Sequence, residues 1–255
     1  MATSPRLDAA YVAQVKAVRA RVESFALARF GAGQHRDADL ERFIAQVVPV
    51  ALAARKQVSS LTDAYLSRVL GIRALGPIDT DALRGVDPAD VYARPFVTVR
   101  TKLAEGLTYD AAVSAGAARL VDIAMADMQL AKTHTSRTVY RSAGMTRYVR
   151  TLTGNKNCAL CYIASTQTYS TDDLMPIHPG CDCGTAPVTS GDRAAMDENL
   201  TATHEAVEDR LGDSDSGARA PDYRKQLIVQ EHGELGPVLT VKGQHFQGRS
   251  VMDTN

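Results

Sequence analysis

Tyr140-Arg141-Ser142-Ala143-Gly144-Met145-Thr146-Arg147-Tyr148-Val149-Arg150-Thr151-Leu152 is the stretch in which the chain changes character. Up to Tyr140, apolar residues recur every three or four positions, the period of an amphipathic helix. From Arg147 to Leu152 they alternate and β-formers dominate, which reads as a strand. Gly144 between the two is a natural helix stop. The fold class that follows is mainly α, with a small α+β C-terminal module. A helical N-terminal assembly domain is expected over residues 1–143, the module over 144–240 and a flexible polar tail over 241–255.

Upstream of that boundary everything reads as helix. Tyr11, Val15, Val18, Val22 and Phe25 form one stripe, which stops at Gly31-Ala32-Gly33. A second helix starts near Asp37 or Asp39 and carries Leu40, Ile44, Val47, Ala51, Ala54, Val58, Leu61, Tyr65 and Val69 inward. Pro49 falls inside that pattern and is expected to kink the helix or split it, because its ring removes a backbone donor. Gly76-Pro77 and Asp87-Pro88 mark turns in a punctuated segment. A third helix is expected from Arg94 to Glu105, with Pro95 as its first residue. Thr108 suits the N-cap of a long fourth helix carrying Tyr109, Val113, Ala117, Leu120, Val121, Ala124 and Met128, and Gly116 in it permits close helix approach. Beyond the cysteines, Arg193–Leu211 and Tyr223–Glu231 read as helices.

Composition narrows the function classes. A length of 255 residues suffices for one large or two modest domains, and formal net charge is zero. Charge balance argues against a dedicated nucleic-acid coat, although local basic patches remain open. No apolar run approaches the roughly 20 residues of a membrane span, and the start Met1-Ala2-Thr3-Ser4-Pro5-Arg6 has no apolar signal core. The chain is therefore expected to be made in a reducing cytosol.

All four cysteines fall within one window, as Cys158-Ala159-Leu160-Cys161 and Cys181-Asp182-Cys183, the second preceded by His178-Pro179-Gly180. A two-residue gap lets both thiolates of a Cys-x-x-Cys turn reach one ion, and the stretch from Tyr162 to Ile177 can return as a hairpin or loop with further ligands. Thiolates plus an imidazole in a tetrahedral set suit Zn(2+). Five candidates, Cys158, Cys161, His178, Cys181 and Cys183, compete for four positions, with Cys181 and Cys183 as alternatives for the last. A closed set of this kind is structural, since catalytic zinc keeps one position for water. The competing readings are buried small cysteines, or a redox pair of Cys158 with Cys161.

The run Leu152-Thr153-Gly154-Asn155-Lys156-Asn157-Cys158-Ala159-Leu160-Cys161, followed by Met175-Pro176-Ile177-His178-Pro179-Gly180-Cys181-Asp182-Cys183, resembles the MuF-type minor capsid (head morphogenesis) proteins of tailed phages, in their actinobacteriophage form. In that family a strand leads into a Cys-x-x-Cys turn, and a His-Pro-x-Cys-x-Cys segment closes the module. Glu231-His232-Gly233-Glu234-Leu235-Gly236-Pro237-Val238-Leu239 resembles the segment that follows the module in actinobacteriophage members. The resemblance covers about half the chain. It implies a structural, non-enzymatic protein incorporated in few copies inside the capsid of the virion, assembled in the host cytoplasm and associated with portal and capsid proteins. It supplies no catalytic residue.

Other zinc chemistries fit less well. A nucleic-acid deaminase places His-x-Glu before Pro-Cys-x-x-Cys, whereas His232-Gly233-Glu234 follows the cysteines and Asn157 stands at the proline position. A zincin needs His-Glu-x-x-His, which His204-Glu205 begins and Glu208 fails to complete. The alternative kept open is a zinc-stabilised nuclease of the HNH kind acting on DNA, with His204 and Asn199 on a candidate helix. His35, His134, His204 and His245 read as solvated or hydrogen-bonded surface residues, and His232 as part of an ordered turn. Arg137, Arg141, Arg147, Arg150 and Lys156 gather around the strand. They read either as a solvated helix end or as a patch facing packaged DNA.

Overall fold

The computed structural model describes residues 5–152, 159–177, 183–188 and 227–241. Its contacts divide the chain into two compact units, Ala2–Thr135 and Ser136–Asn255. The division falls inside a helix, ahead of the Gly144 boundary expected from sequence. The two units are described separately below.

The first unit is built from α1 (Pro5–Phe30), α2 (Asp37–Leu70), α3 (Pro88–Ala104) and most of α4 (Tyr109–Ser142). Along α1 the expected stripe faces inward, with Val18 and Val22 buried and Tyr11, Val15 and Phe25 half-buried; Ala26 and Phe30 complete it. At the start of α2, the Asp39 carboxylate accepts from the backbone N–H groups of Gln34 (3.0 Å) and Arg36 (3.2 Å). Those two donors, Arg36 first, hold its pKa below the usual aspartate value. A side chain at Gly33 would bring its Cβ within 2.8 Å of Asp39 Cγ, so this junction requires glycine.

α2 is continuous through Pro49, so the expected split is absent. Pro49 and Ala45, one helical turn apart, are both exposed. The carbonyl deprived of its partner is therefore on the side where water replaces the lost donor. α3 begins earlier than expected, at Pro88. Asp87 Oδ1 accepts from Ala89 N at 2.8 Å, and Pro88 takes the first-turn position that the sequence reading gave to Pro95, which lies buried within the helix. Asp-Pro here is an N-cap and first residue, not merely a turn.

Thr108 caps α4 as expected, its Oγ1 accepting from Ala111 N at 3.3 Å. The helix closes at Gly144, which has φ 68°. There Met145 N donates to the Tyr140 carbonyl (2.9 Å) and Gly144 N to the Arg141 carbonyl (3.0 Å), satisfying carbonyls that a helix end leaves bare. Gly116 does permit close approach: a Cβ on it would lie 2.6 Å from Val99 Cγ2 and 2.9 Å from the Pro95 carbonyl oxygen. The core comprises two apolar groups. Phe30, Phe43, Val47, Val91, Tyr92, Phe96, Val99, Leu120 and Ile123 lie in one, and Val18, Val22, Ala54, Val58, Ala124 and Met128 in the other. Each large side chain so buried contributes about 1.5–3 kcal/mol.

The C-terminal half of α2 departs from a purely apolar face. Arg55, Ser59, Thr62, Asp63 and Ser67 are all buried on it. They are accounted for by partners. Asp63 accepts from the backbone N–H groups of Leu75 (3.1 Å) and Gly76 (3.0 Å), which ties the irregular segment after α2 back onto the helix. Asp127 of α4, fully buried, accepts from Arg55 Nη2 and Arg84 Nε, each at 2.8 Å, and from the Tyr92 hydroxyl at 2.9 Å. Burial first, then the Asp127 charge, drive the Tyr92 pKa well above its usual value, so this hydroxyl stays protonated and donating.

In the second unit, β1 (Arg147–Thr151) is the middle strand of an antiparallel sheet, flanked by β2 (Thr168–Ser170) and β3 (Gly184–Pro187). The expected strand before the cysteines is thus present. Tyr148 pairs with Tyr169 on one side and Pro187 on the other, and Arg150 pairs with Thr185. α5 (Ala159–Ser165) fills part of the stretch read as hairpin or loop, followed by β2 and a short 3-10 turn at Thr171–Asp173. β4 (Leu227–His232) and β5 (Gly236–Val241) form an antiparallel hairpin. This corrects the helix expected over Tyr223–Glu231: the successive Leu227, Ile228 and Val229 favour a pleated strand, and the Gly233-Glu234-Leu235 turn lets it pair with its neighbour. The expected helix Arg193–Leu211 and the tail lie outside the described residues. Among the described residues no helix is long and apolar enough to cross a membrane.

Candidate metal centre

The cysteine window is organised around β1. Because side chains alternate along a strand, Tyr148 and Arg150 share the buried face, while Arg147 points outward. Leu160, Cys161 and Ala164 of α5, Ile177, Cys183 just before β3, and Leu239 of β5 pack as one buried cluster. The structure therefore brings together Cys161 and Cys183, two of the five expected ligands. Both are thiols, and both are 3% exposed. Cys158, His178 and Cys181 lie outside the described residues. Among the described residues, no group of three or more His, Cys, Asp or Glu side chains is placed to hold a metal.

Sequence reasoning missed the role of Arg150. It was grouped with a surface basic patch, yet the residue is 5% exposed and its guanidinium lies within the unit. Nη1 donates to Cys183 Sγ at 3.9 Å, and Nη2 to the Tyr148 hydroxyl at 3.4 Å and to the Met175 carbonyl. The guanidinium also lies over the Tyr148 ring, 5.4 Å from its centroid. Tyr148 in turn stacks on Tyr169 across the strand pair, with ring centroids 5.3 Å apart. Burial raises the pKa of Tyr148, and that of Tyr169 to about 12, so both phenols are neutral and Arg150 faces them as donors or acceptors only. The signal that exposes Arg150 was in the strand itself, since a period of two places it beside Tyr148 and away from Arg147.

The rest of the basic group divides as follows. Arg141 pairs with Asp172 at 2.7 Å, and both are largely exposed. Arg147 Nη2 donates to Thr168 Oγ1 at 2.7 Å across the strand pair. Arg137 is half-buried on α4, and Lys156 lies outside the described residues. Arg150 is therefore no part of a surface patch.

Two described segments on either side of residues 178–182 are held by hydrogen bonds. Leu239 N of β5 donates to the Pro176 carbonyl at 3.1 Å, which fixes the chain just before His178. The Tyr140 and Thr185 hydroxyls share a hydrogen bond of 3.0 Å, fixing the chain just after Cys183. Among the described residues the soft donors in this cluster are the two thiols Cys161 and Cys183, of which Cys183 accepts from the Arg150 guanidinium.

The histidines resolve differently from one another. His232 Nδ1 accepts from the backbone N–H groups of Glu234 (3.1 Å) and Leu235 (3.3 Å), the ordered turn expected of it. His35 is not a surface residue: it is 7% exposed, hydrogen-bonded through Nδ1 to the Tyr109 hydroxyl at 2.9 Å, and set among Phe30, Phe96 and Tyr109. His134 is half-buried on α4. Asn199, His204 and His245 lie outside the described residues. Comparison with protein-family models, with curated proteins and with solved structures finds no match to this chain.

Proposed function

We propose that this chain is a structural minor head protein of a tailed phage, of the MuF type, carried inside the virion next to the portal and stapled by one structural zinc ion. The paired runs Cys158-x-x-Cys161 and His178-Pro179-x-Cys181-x-Cys183 support the family reading. The structural observation that carries it is the presence of Cys161 and Cys183, one from each cysteine pair of the window, in one buried cluster.

Cys158, Cys161 and His178, with either Cys181 or Cys183, would hold the ion. Zinc, when bound, would supply a cross-link between the two cysteine pairs and no redox chemistry. The apolar cluster around it is small, so such a cross-link contributes directly to folding. The surface arginines Arg141 and Arg147, with half-buried Arg137, leave room for a salt-sensitive contact with packaged DNA. No residue is assigned to catalysis.

Two measurements test the reading. Elemental analysis of the purified chain should give about one zinc per chain, with thiols becoming titratable only after chelation. Co-expression with the portal and major capsid proteins of a tailed phage that carries this chain should place it in assembled particles in few copies, and Cys161→Ser should reduce that incorporation. A chain without zinc, or one absent from particles that assemble normally, would overturn it.

A further inference from the structure

The outer edge of β4 carries an inference that does not depend on the zinc reading. We infer that β4 (Leu227–His232) is a docking edge for a second copy of this chain, the two β4 strands pairing antiparallel about Val229 to join both hairpins into one sheet.

The hairpin register fixes which backbone groups face that edge. Along an antiparallel pair, opposed residues alternate between those that exchange hydrogen bonds and those that do not. Pro237 has no N–H and stands opposite Glu231, so that pair is of the second kind, as are Val229 with Leu239 and Leu227 with Val241. On β5 the consequence is visible: Leu239 N points out of the ladder and donates to the Pro176 carbonyl. On β4 the N–H and C=O groups of Leu227, Val229 and Glu231 therefore point outward, and among the described residues they meet no backbone partner. Residues 228–231 are exposed on both faces of the strand, with Val229 57% and Ile228 37% accessible.

The other outer edges among the described strands are closed by means that β4 lacks. β2 has only three residues, β3 ends in Pro187, and β5 gives its outward Leu239 N–H to Pro176. Shortness, proline, lysine and cover by a neighbouring segment are how sheets keep their edges from pairing with other chains. β4 is six residues long, contains neither lysine nor proline, and presents two aliphatic side chains to water. An edge of that composition is a template for another strand.

The strand that fits it is β4 itself. In an antiparallel pair, outward residues must oppose outward residues. With Val229 on a two-fold axis, the two Val229 residues face each other, Leu227 of each copy faces Glu231 of the other, and Ile228 faces Gln230. Every outward group of the three residues then has a partner, two β-branched side chains meet at the centre, and the two carboxylates lie at opposite ends of the paired segment. A register centred on Glu231 would set those carboxylates directly against one another, which is destabilising. Two-fold self-association needs only such a self-complementary patch. One short strand pair is smaller than the roughly 1,200 Å² of a stable interface, so monomer and dimer exchange with concentration.

The test is amide hydrogen exchange on the full chain, read residue by residue over roughly 10–300 µM, with sedimentation velocity on the same samples. The N–H groups of Leu227, Val229 and Glu231 should gain protection as concentration rises, in step with the dimer. Those of Ile228 and Gln230, which face β5, should be protected throughout. Val229→Lys sets like charges on the axis, and Val229→Pro removes an outward donor without taking a bond from the hairpin. Each should leave the chain monomeric over that range and the remaining outward amides unprotected. Should the variants fail to fold, the concentration dependence of the wild type decides alone.

A chain that stays monomeric with its outward amides exchanging freely would overturn the inference. Protection that does not vary with concentration would assign the edge to a segment of the same chain. Protection that appears only when portal protein is added would assign it to that partner. Either result overturns self-pairing, as does a dimer that survives both variants and so forms elsewhere. None of these outcomes bears on zinc, which elemental analysis decides separately.

Discussion

His35 has φ 60°, in the left-handed region that few non-glycine residues adopt. Its ring lies 4.5 Å from the Phe30 ring. Burial lowers its pKa, and the nearby Asp39 carboxylate opposes this only in part. In the window just below about pH 6.5, the unfolded histidine binds a proton that the folded one does not. Stability is therefore full above that pH, declines as pH falls through it, and stops declining once the folded ring also protonates. His35→Asn keeps a residue that tolerates the left-handed conformation and removes the titration. The difference in urea midpoint between wild type and variant should move with pH between about 7 and 5; a flat difference would mean that His35 is not held neutral. Gly116 is limiting in another way. Gly116→Ala drives a methyl into Val99, Phe30 and the Pro95 carbonyl, and should destabilise the first unit by about 1–3 kcal/mol in denaturant melts.

At the scale of elements, α2 carries its proline where it does least harm. Pro49→Ala restores a donor on the exposed face, and should stabilise by about 1–3 kcal/mol in the same melts, because interior proline costs about 3 kcal/mol and part of that is returned by the freer unfolded chain. A midpoint unchanged or lowered would show that the helix depends on the proline ring. The elements that sequence made legible are those with long, regular patterns. The stripe of α1, the Thr108 cap, the Gly144 stop and the β1 alternation are each local signals that tertiary contacts reinforce. The start of α3 was misplaced because Asp-Pro signals both a turn and a cap, and only the Asp87-to-Ala89 hydrogen bond decides between them. β4 was read as helix because Leu227, Ile228 and Val229 form a short apolar run whose period is ambiguous; its partner β5 settles the matter through long-range pairing. For the candidate site, the candidate ligand types are legible in the cysteine spacing. Arg150 was not, because a charged residue was assumed to face solvent although its strand position placed it inside.

For the whole molecule, the proposed zinc and the buried charge cluster belong to different units, and the proposal predicts that they act separately. Chelation should strip amide-exchange protection from the strands of the second unit, while α1–α3 keep theirs; loss of protection throughout would show that the ion supports the entire chain. In the first unit the Arg55–Asp127–Arg84 group is a fully buried charge cluster. Asp127→Ala leaves two guanidinium groups buried without their shared carboxylate, and should cost about 3–5 kcal/mol in denaturant melts, a large share of the roughly 5–15 kcal/mol by which domains are stable. Replacing Arg55, Arg84 and Asp127 together by Met, Met and Leu should restore much of that loss. The same cluster constrains descent. Its members come from α2, from the segment before α3 and from α4, far apart in sequence, so no single nucleotide change removes one without stranding the others. Inheritance then acts on the group as a unit. In chains sharing an ancestor with this one, positions 55, 84 and 127 should be retained together or exchanged together, and lineages caught between the two states should be rare.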